Sequence, residues 1–145
     1  MDFTFGIITD GTNDNNIIAI VESIMKQNIP NKEIIIVGNS SKKVDKNISF
    51  DEGIKSKWIT RKKNIITEHA KFENIVYLHD YIVFEDNWYE GFLKFGNTFD
   101  ICMNVILNSN GQRIRDWCIH DPSPFGNSCT GLLPYSIKNL SKYMY

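Results

Sequence analysis

The sequence is short of cysteine and of long apolar runs. Its three cysteines, Cys102, Cys118 and Cys129, show neither a C-x-x-C pair nor a Cys/His zinc spacing, so we interpret them as reduced thiols. No stretch approaches the roughly 20 apolar residues of a membrane span. The N-terminus carries Asp2 where a secretory signal would carry lysines. These absences predict a cytoplasmic protein without a transmembrane segment.

The sequence also lacks an excess of charge of either sign. Its 16 Lys and Arg are balanced by 17 Asp and Glu, for a formal net charge of -1. Without a broad cationic face we predict no nucleic-acid partner, so any bound anion must be held locally. The hydrophobic content of 42% excludes disorder, and residues 1–145 suffice for a single domain with its own core.

The first third of the chain has the pattern of a strand, a helix and a second strand. Residues 3–9 are apolar and β-branched and stop at the turn signal Asp10-Gly11-Thr12-Asn13, which is typical of a buried strand. Residues 33–37 are almost uniformly apolar, as in a parallel strand covered on both faces. Between them, Asp14 or Thr12 can cap a helix. Its apolar positions are Ile17, Ile20, Val21, Ile24 and Met25.

The rest of the chain predicts further strands and helices. Residues 60–71 form a helix with Ile65, Ile66 and either His69 or Ala70 inward, and Asn110-Gly111 is a hairpin signal. The other elements are a short strand near 48–50, a strand at 75–78, a helix at 88–95 and β-rich runs at 100–107 and 112–119. The pattern predicts an α/β fold with a Rossmann-like, mostly parallel sheet followed by an antiparallel hairpin.

Polar clusters follow three of these strands, at residues 9–11, 38–40 and 79–81. The carboxyl ends of parallel strands form one crevice, and ligands bind there. Thr9 and Asp10 are therefore candidates for nucleotide contacts, although a capped turn explains them as well. Asn39 can donate to and accept from a base edge, but turn formation explains it equally.

Arg61-Lys62-Lys63 places three cations in the first turn of a predicted helix. Cations at this end oppose the helix dipole, so an anion bound there would make them favourable. Phosphate at a helix N-terminus is a recurrent solution. The pattern favours an anion site, and a solvated basic turn is the alternative.

Asp80 is the strongest metal-ligand candidate. It follows a buried strand, where a partly desolvated carboxylate needs a partner. Mg²⁺ or Mn²⁺ shared with a diphosphate would be such a partner, and His79 could add a nitrogen ligand suited to Mn²⁺. A turn-capping role for Asp80 is the alternative.

The order of these segments resembles the GT-A glycosyltransferases typified by the family-2 enzymes. Residues 27–37, QNIPNKEIIIV, are similar to the family's Q-x-x-P-x-x-E-I-I-V-V segment, which leads to a D-D-G-S turn. Residues 63–66, 69–71 and 75–80 resemble its R-N-x-G, helix and F-L-D-x-D succession. The resemblance covers roughly residues 3 to 95.

This resemblance implies an enzyme that transfers a sugar from a nucleotide-diphosphate sugar to an acceptor hydroxyl with Mn²⁺ or Mg²⁺. Carried over by position, Thr9 and Asp10 lie beside the nucleoside, and Asn39 stands in the turn that reads the base. Lys63 and Asn64 lie near the ribose or phosphates, joined by Arg61 of the cation cluster. Asp80, with His79, belongs to the metal motif.

The sequence departs from the family in two places. The D-D-G-S turn is replaced by Gly38-Asn39-Ser40-Ser41, and His79 and Tyr81 stand where the family often has acids. Only one carboxylate remains in the metal motif, which implies weak or altered metal use.

The late Glu-Asp pair that supplies the family's catalytic base is missing. Asp116 is the remaining candidate, although its position beside Arg113 and Arg115 favours a salt-bridged strand residue. The chain is expected to be truncated before the acceptor and catalytic-base segment. One alternative is therefore an inactive nucleotide-sugar-binding protein of the same fold. Another is a nucleotidyltransferase, but its glycine-rich phosphate loop is poorly matched by residues 10–13.

Overall fold

The computed structural model of the chain describes residues 1–96, 100–114, 118–120 and 129–132. The chain forms two compact units, Met1–Gly96 and Asn97–Tyr145. That residues 1–145 are one domain stays a prediction, because a compact unit need not fold independently. The elements are β1 (Phe3–Ile8), α1 (Asp14–Lys26), β2 (Lys32–Val37), β3 (Lys46–Ile48), α2 (Ile59–His69), β4 (Asn74–His79), α3 (Trp88–Phe95), β5 (Cys118–His120) and β6 (Cys129–Leu132).

The first unit contains a four-stranded sheet in the order β3-β2-β1-β4. All three strand pairs in it are parallel. β1 lies at the centre and every one of its residues is buried, because strands pair on both of its edges and side chains cover both of its faces. The predicted Rossmann-like α/β class with a mostly parallel sheet is confirmed.

The chain order reverses between β1 and β4. From β1 the chain crosses through α1 to β2 on one side, whereas β4 lies on the other side of β1. Ile8, the last residue of β1, is in register with Val37 of β2 and His79 of β4. The turns that leave these three strands therefore meet at one edge, at the type of switch point where open α/β sheets bind ligands.

Alternation along β1 builds two different layers against the sheet. Phe3 and Phe5 face an aromatic layer, and their ring centroids lie 5.5 and 5.7 Å from that of Trp88. Gly6 faces the other way, where a Cβ would lie 2.4 Å from Cγ2 of Ile66. Helix α2 therefore packs directly on the backbone of β1.

Several predicted details of the helices are wrong. The N-cap of α1 is Asn13, not Thr12 or Asp14, and it forms no side-chain capping hydrogen bond. Asp14 does not cap the helix because its carboxylate is bonded to the loop after β2. Met25 is exposed on α1. Of the two residues offered for the inward face at the end of α2, His69 is exposed and Ala70 is partly buried. The buried residues of α2 are Lys62 and Ile66, because the close approach at Gly6 brings this face of the helix onto the sheet.

The second unit is described only in part. Leu107 and Arg113 form an antiparallel bridge around Gly111, whose φ is 74°, and β5 pairs antiparallel with β6. The antiparallel turn at Asn110-Gly111 is confirmed, but residues 100–106 do not form the predicted strand. Within the described residues, no helix is long and apolar enough to cross a membrane.

Candidate functional site

Thr9 links three strands at the edge of the sheet. It directly follows β1 and is only 4% exposed. Its backbone N–H donates to the carbonyl of Val37 at 3.1 Å. Its hydroxyl donates to Oδ2 of Asp80 at 2.9 Å and accepts the N–H of Gly11 at 3.0 Å. The buried hydroxyl is thus engaged by the protein itself.

Asp80 lies directly after β4, beside the point where the strand order reverses. Its Oδ2 accepts from Thr9 and, at 3.4 Å, from Nδ2 of Asn13, the residue that precedes α1. Among the described residues, no hydrogen bond is formed by its Oδ1. One carboxylate oxygen is therefore held by the protein, and the other receives no hydrogen bond from the described residues.

An open groove of about 500 Å³ lies where the turns after β1 and β2 meet. Its lining is dominated by glycine and by small polar side chains, which carry hydrogen-bond donors and acceptors. Asn39, the predicted base-reading residue, lines it. The other lining residues are Gly11, Asp14, Gly38, Ser40, Ser41, Asn47 and Ser49.

Two glycines let the turns approach each other. Gly38 has a φ of 130°, and a Cβ there would lie 2.1 Å from the carbonyl oxygen of Thr9. Gly11 has a φ of 90°, and its Cβ would lie 3.0 Å from that of Asn39. Only glycine adopts the first of these conformations without strain. The shape of the groove therefore depends on the absence of side chains at both positions.

Asp14 fastens the loop after β2 to the start of α1. Its carboxylate accepts from the hydroxyl of Ser40 at 2.6 Å and from the backbone N–H of Ser41 at 3.0 Å. The hydrogen bonds from Ser40 and Ser41 hold the pKa of Asp14 below its ordinary value. A carboxylate also suits the positive end of the helix dipole. Asp14 thus fixes one wall of the groove in its ionised form.

The predicted cation cluster separates into different environments. Arg61 forms a 3.0 Å ion pair with Glu68 on the exposed side of α2. Lys62 is 2% exposed, and its ammonium donates to the carbonyl of Thr9 at 2.6 Å and to Glu52. It also lies 5.0 Å from the ring centroid of Phe50. Two of the three cations are therefore occupied by protein partners.

Lys63 and His79 lie near the same face of β4. The ammonium of Lys63 is 5.7 Å from the ring centroid of Tyr77, which shares a face of β4 with His79. Burial and the charge of Lys63 lower the pKa of His79, against the opposing effect of Asp80. The imidazole stacks on Tyr81 at 5.4 Å. A role of His79 in a metal site stays a prediction.

Asp10 is partly exposed, and Asn64 lies on the surface. Asp10 accepts from the N–H of Thr12 at 3.0 Å and from its hydroxyl at 2.6 Å, and both bonds lower the pKa of Asp10. Lys57, which has a φ of 54°, brings its ammonium to 3.8 Å from Asp10. Asn64 is exposed on α2. Asp116 lies outside the described residues, so its predicted role as a catalytic base stays a prediction.

The donor groups at this edge fit a shared metal ion better than a metal held by the protein alone. Within the described residues, no group of three His, Cys, Asp or Glu could hold a metal. Mg²⁺ and Mn²⁺ are commonly held by one or two carboxylates and filled out by substrate phosphates and water. Asp80 is a single carboxylate, and one of its oxygens is not engaged by any described residue. It therefore fits a site in which substrate phosphates and water complete the coordination of the metal.

Comparison with known proteins finds a likeness in fold to a solved structure. No protein-family model matches the chain, and no curated protein matches it. The crystal structure of residues 1–349 of TarS from S. aureus, a glycosyltransferase, matches with a TM-score of 0.47 and 15% identity. The match covers 63% of this chain and 31% of that one, so the chain spans about a third of its length. The function is therefore inferred from the residues of this chain.

Some residues that build the site were missed by the sequence analysis. Lys62 was treated as one member of a basic cluster, yet it lies four residues before Ile66, on the same face of α2. That spacing was the available signal for its burial. Glu52, which pairs with Lys62, lies in a polar loop 10 residues away, and nothing in the sequence pattern indicated the contact.

Proposed function

We propose that this chain binds the nucleotide-diphosphate part of a sugar donor at the carboxyl edge of its sheet and serves in the transfer of the sugar to an acceptor hydroxyl. The supporting observation is Asp80. It lies where the strand order reverses, one of its oxygens is fixed by Thr9 and Asn13, and an open polar groove begins at the neighbouring turn.

The nucleoside is proposed to lie in the groove beside Asn39. The amide of this residue can donate and accept at once, which suits the mixed edge of a nucleobase. Asp14 holds the loop of Asn39 against α1 through Ser40 and Ser41. The groove wall is thereby ordered before the ligand arrives, which lowers the entropy cost of binding.

The diphosphate needs positive charge at this edge, because Asp10, Asp14 and Asp80 are all acidic. Lys62 cannot supply it, since its ammonium is buried between Glu52 and the carbonyl of Thr9. Mg²⁺ or Mn²⁺ held by Asp80 would neutralise the diphosphate and stabilise the departing nucleoside diphosphate. The chain contributes the fixed carboxylate at that position.

The acceptor hydroxyl must lose a proton in an inverting reaction, and a base has to take it. In residues 100–114 the only carboxylate is that of Asp100, which is exposed. The described residues therefore support donor binding more directly than turnover.

The substitution Asp80→Asn tests the proposal because it keeps the shape of the side chain and removes its charge. Calorimetry against a panel of nucleoside diphosphates, with and without Mn²⁺, should show metal-dependent binding by the wild type. We expect the variant to lose more than about tenfold in affinity, equivalent to ~1.4 kcal/mol, and only in the presence of metal.

Glu73→Gln is the matched control, because Glu73 is an exposed carboxylate just before the opposite end of β4. It should bind like the wild type. Equal metal-dependent affinity of the Asp80 variant and the wild type would overturn the assignment of Asp80. Absence of nucleoside-diphosphate binding by the wild type would overturn the proposed function.

A further inference from the structure

We propose that Thr9 is a positioning residue for the carboxylate of Asp80, and that Lys62, fixed in turn by Glu52, holds Thr9 from the opposite side. The proposal deepens the function given above and rests on it, because the orientation of Asp80 matters only if its free oxygen meets a ligand. It also replaces the predicted nucleoside contact of Thr9 with a role inside the protein.

The polar groups of Thr9 are all engaged in directions that fix the side chain. Its N–H is bonded to Val37 at 3.1 Å, and its carbonyl accepts from Lys62 at 2.6 Å. A hydroxyl has one proton to donate, and Thr9 gives it to Asp80 at 2.9 Å while accepting from Gly11 at 3.0 Å. A β-branched side chain has few accessible rotamers. The Asp80 carboxylate is therefore presented in one orientation.

Lys62 holds the backbone carbonyl of Thr9 in place. An ammonium that is 2% exposed is costly to bury unless acceptors surround it. It has them in the Thr9 carbonyl and Glu52, with the face of Phe50 at 5.0 Å. The ammonium of Lys62 does not line the groove. Its structural effect is to fix the carbonyl of Thr9, and with it the hydroxyl beside Asp80.

Glu52 extends the same connection to the loop before α2. One of its oxygens pairs with Lys62, and the other accepts the backbone N–H of Lys57 at 2.7 Å. The series Glu52, Lys62, Thr9, Asp80 therefore joins that loop to the end of β4 through consecutive polar contacts. Outer partners that orient a metal ligand typically change metal affinity by about 10–100-fold when removed.

Thr12 supplies a matched comparison in the same turn. Its hydroxyl also donates to a carboxylate, Oδ1 of Asp10, at 2.6 Å, but Thr12 is exposed and forms no hydrogen bond with Asp80 among the described residues. Thr9→Val and Thr12→Val thus remove the same chemical group three residues apart. Thr9→Ser retains the hydroxyl and serves as the conservative rescue.

The experiment measures the affinity for uridine diphosphate of the full chain with and without Mn²⁺, and takes the ratio of the two. Thr9→Val should reduce this ratio by about tenfold or more. Thr9→Ser should restore most of it, and Thr12→Val should leave it unchanged. Glu52→Gln, at the far end of the series, should lower the ratio by a smaller factor. Equal ratios for Thr9→Val and Thr12→Val would overturn the proposal.

A second readout needs no ligand and separates this proposal from the proposed function. In the metal-free protein, the ¹³C chemical shift of the Asp80 carboxyl should move in Thr9→Val and stay in place in Thr12→Val. An unmoved Asp80 signal in a folded Thr9→Val variant refutes the positioning role. If the wild type binds no nucleoside diphosphate while the Asp80 signal moves as expected, the proposed function fails and the contact stands.

Discussion

Three neighbouring cations of α2 have different surroundings although their side chains carry the same charge. Arg61 meets Glu68 at the surface, Lys62 is buried under Thr9, and Lys63 lies over the ring of Tyr77. The charge pattern predicted an anion site for all three. Which of them turns inward is decided by the helical phase, and Lys62 shares its face with the buried Ile66.

Gly38 occupies a backbone conformation that only glycine can adopt without strain. Gly38→Ala should destabilise the protein by about 2–4 kcal/mol, because a positive φ is strained in alanine and the new Cβ would overlap the Thr9 carbonyl oxygen. Urea unfolding would measure the change. Gly91→Ala is the control, since a Cβ there meets nothing within 4 Å and alanine favours helix α3 by up to about 1 kcal/mol. Similar stabilities of the two variants would contradict this account.

Two residues of the segment at 27–37 connect elements and do not line the groove. Gln27 is 3% exposed, donates to the carbonyl of Glu85 at 2.9 Å and accepts the N–H of Tyr89 at 3.1 Å. Glu33 accepts from Thr4 at 3.0 Å and from the N–H of Lys71 at 2.8 Å. These two residues thus join the end of α1 to α3, and β2 to β1 and to the loop after α2.

The stability that Glu33 contributes is expected to depend on pH. Burial acts to raise the pKa of Glu33, but hydrogen bonds from Lys46, Lys71 and Thr4 outweigh it and hold the pKa below the ordinary value of 4.5. A carboxyl group with a depressed pKa stabilises the fold above its unfolded pKa, and the contribution is lost as pH falls through the folded pKa.

Glu33→Gln should therefore be less stable than the wild type at pH 7, by about 1–3 kcal/mol. The difference in the free energy of unfolding should shrink as the pH falls below 4.5. Urea titrations at several pH values would measure both effects. Glu73→Gln, an exposed substitution just before β4, should show neither of them. A difference that is constant with pH would contradict the assignment.

On the scale of the whole molecule, the hydrophobic core of the described residues belongs to Met1–Gly96. Its largest fully buried apolar side chains come from both central strands, α1 and α2. By contrast, Ile101 is 88% exposed, and Met103 and Val105 are about half exposed in the second unit. The core members include Phe3, Phe5, Ile7, Ile17, Ile20, Ile24, Ile35, Ile36, Val37 and Ile66.

We therefore expect residues 1–96 to fold when expressed alone. The fragment should unfold cooperatively in urea and give dispersed amide NMR signals, because the sheet and its helices are complete within it. It should also retain the proposed nucleoside-diphosphate binding, since Asp80 and the groove residues all lie in this range. A non-cooperative transition would show that the remaining residues are needed for the core.

Within residues 1–96, the sequence by itself determined the succession of strands and helices along the chain, and with it the α/β class. The buried strands, α1 and α3 were predictable because apolar residues at a period of 2 or 3.6 are a local property of the chain. The edge strand β3 was predicted two residues too late, because residues 46–48 carry little of the apolar signal that marks a buried strand. That Asp80 directly follows a parallel strand, and so lies at the carboxyl edge of the sheet, was also predictable. The expected burial of that strand was wrong, because β4 is an edge strand and Leu78 is its only buried residue.

Only the tertiary structure decided which polar groups meet. Thr9 and Asp80 are 71 residues apart, and Thr9 and Lys62 are 53 apart, so no local pattern indicates either contact. The parallel register of β1 and β4 brings the first pair together, and the packing of α2 on Gly6 brings the second. Both contacts arise because the carboxyl ends of distant strands share one edge, a consequence of the strand order and not of the residues nearby in sequence.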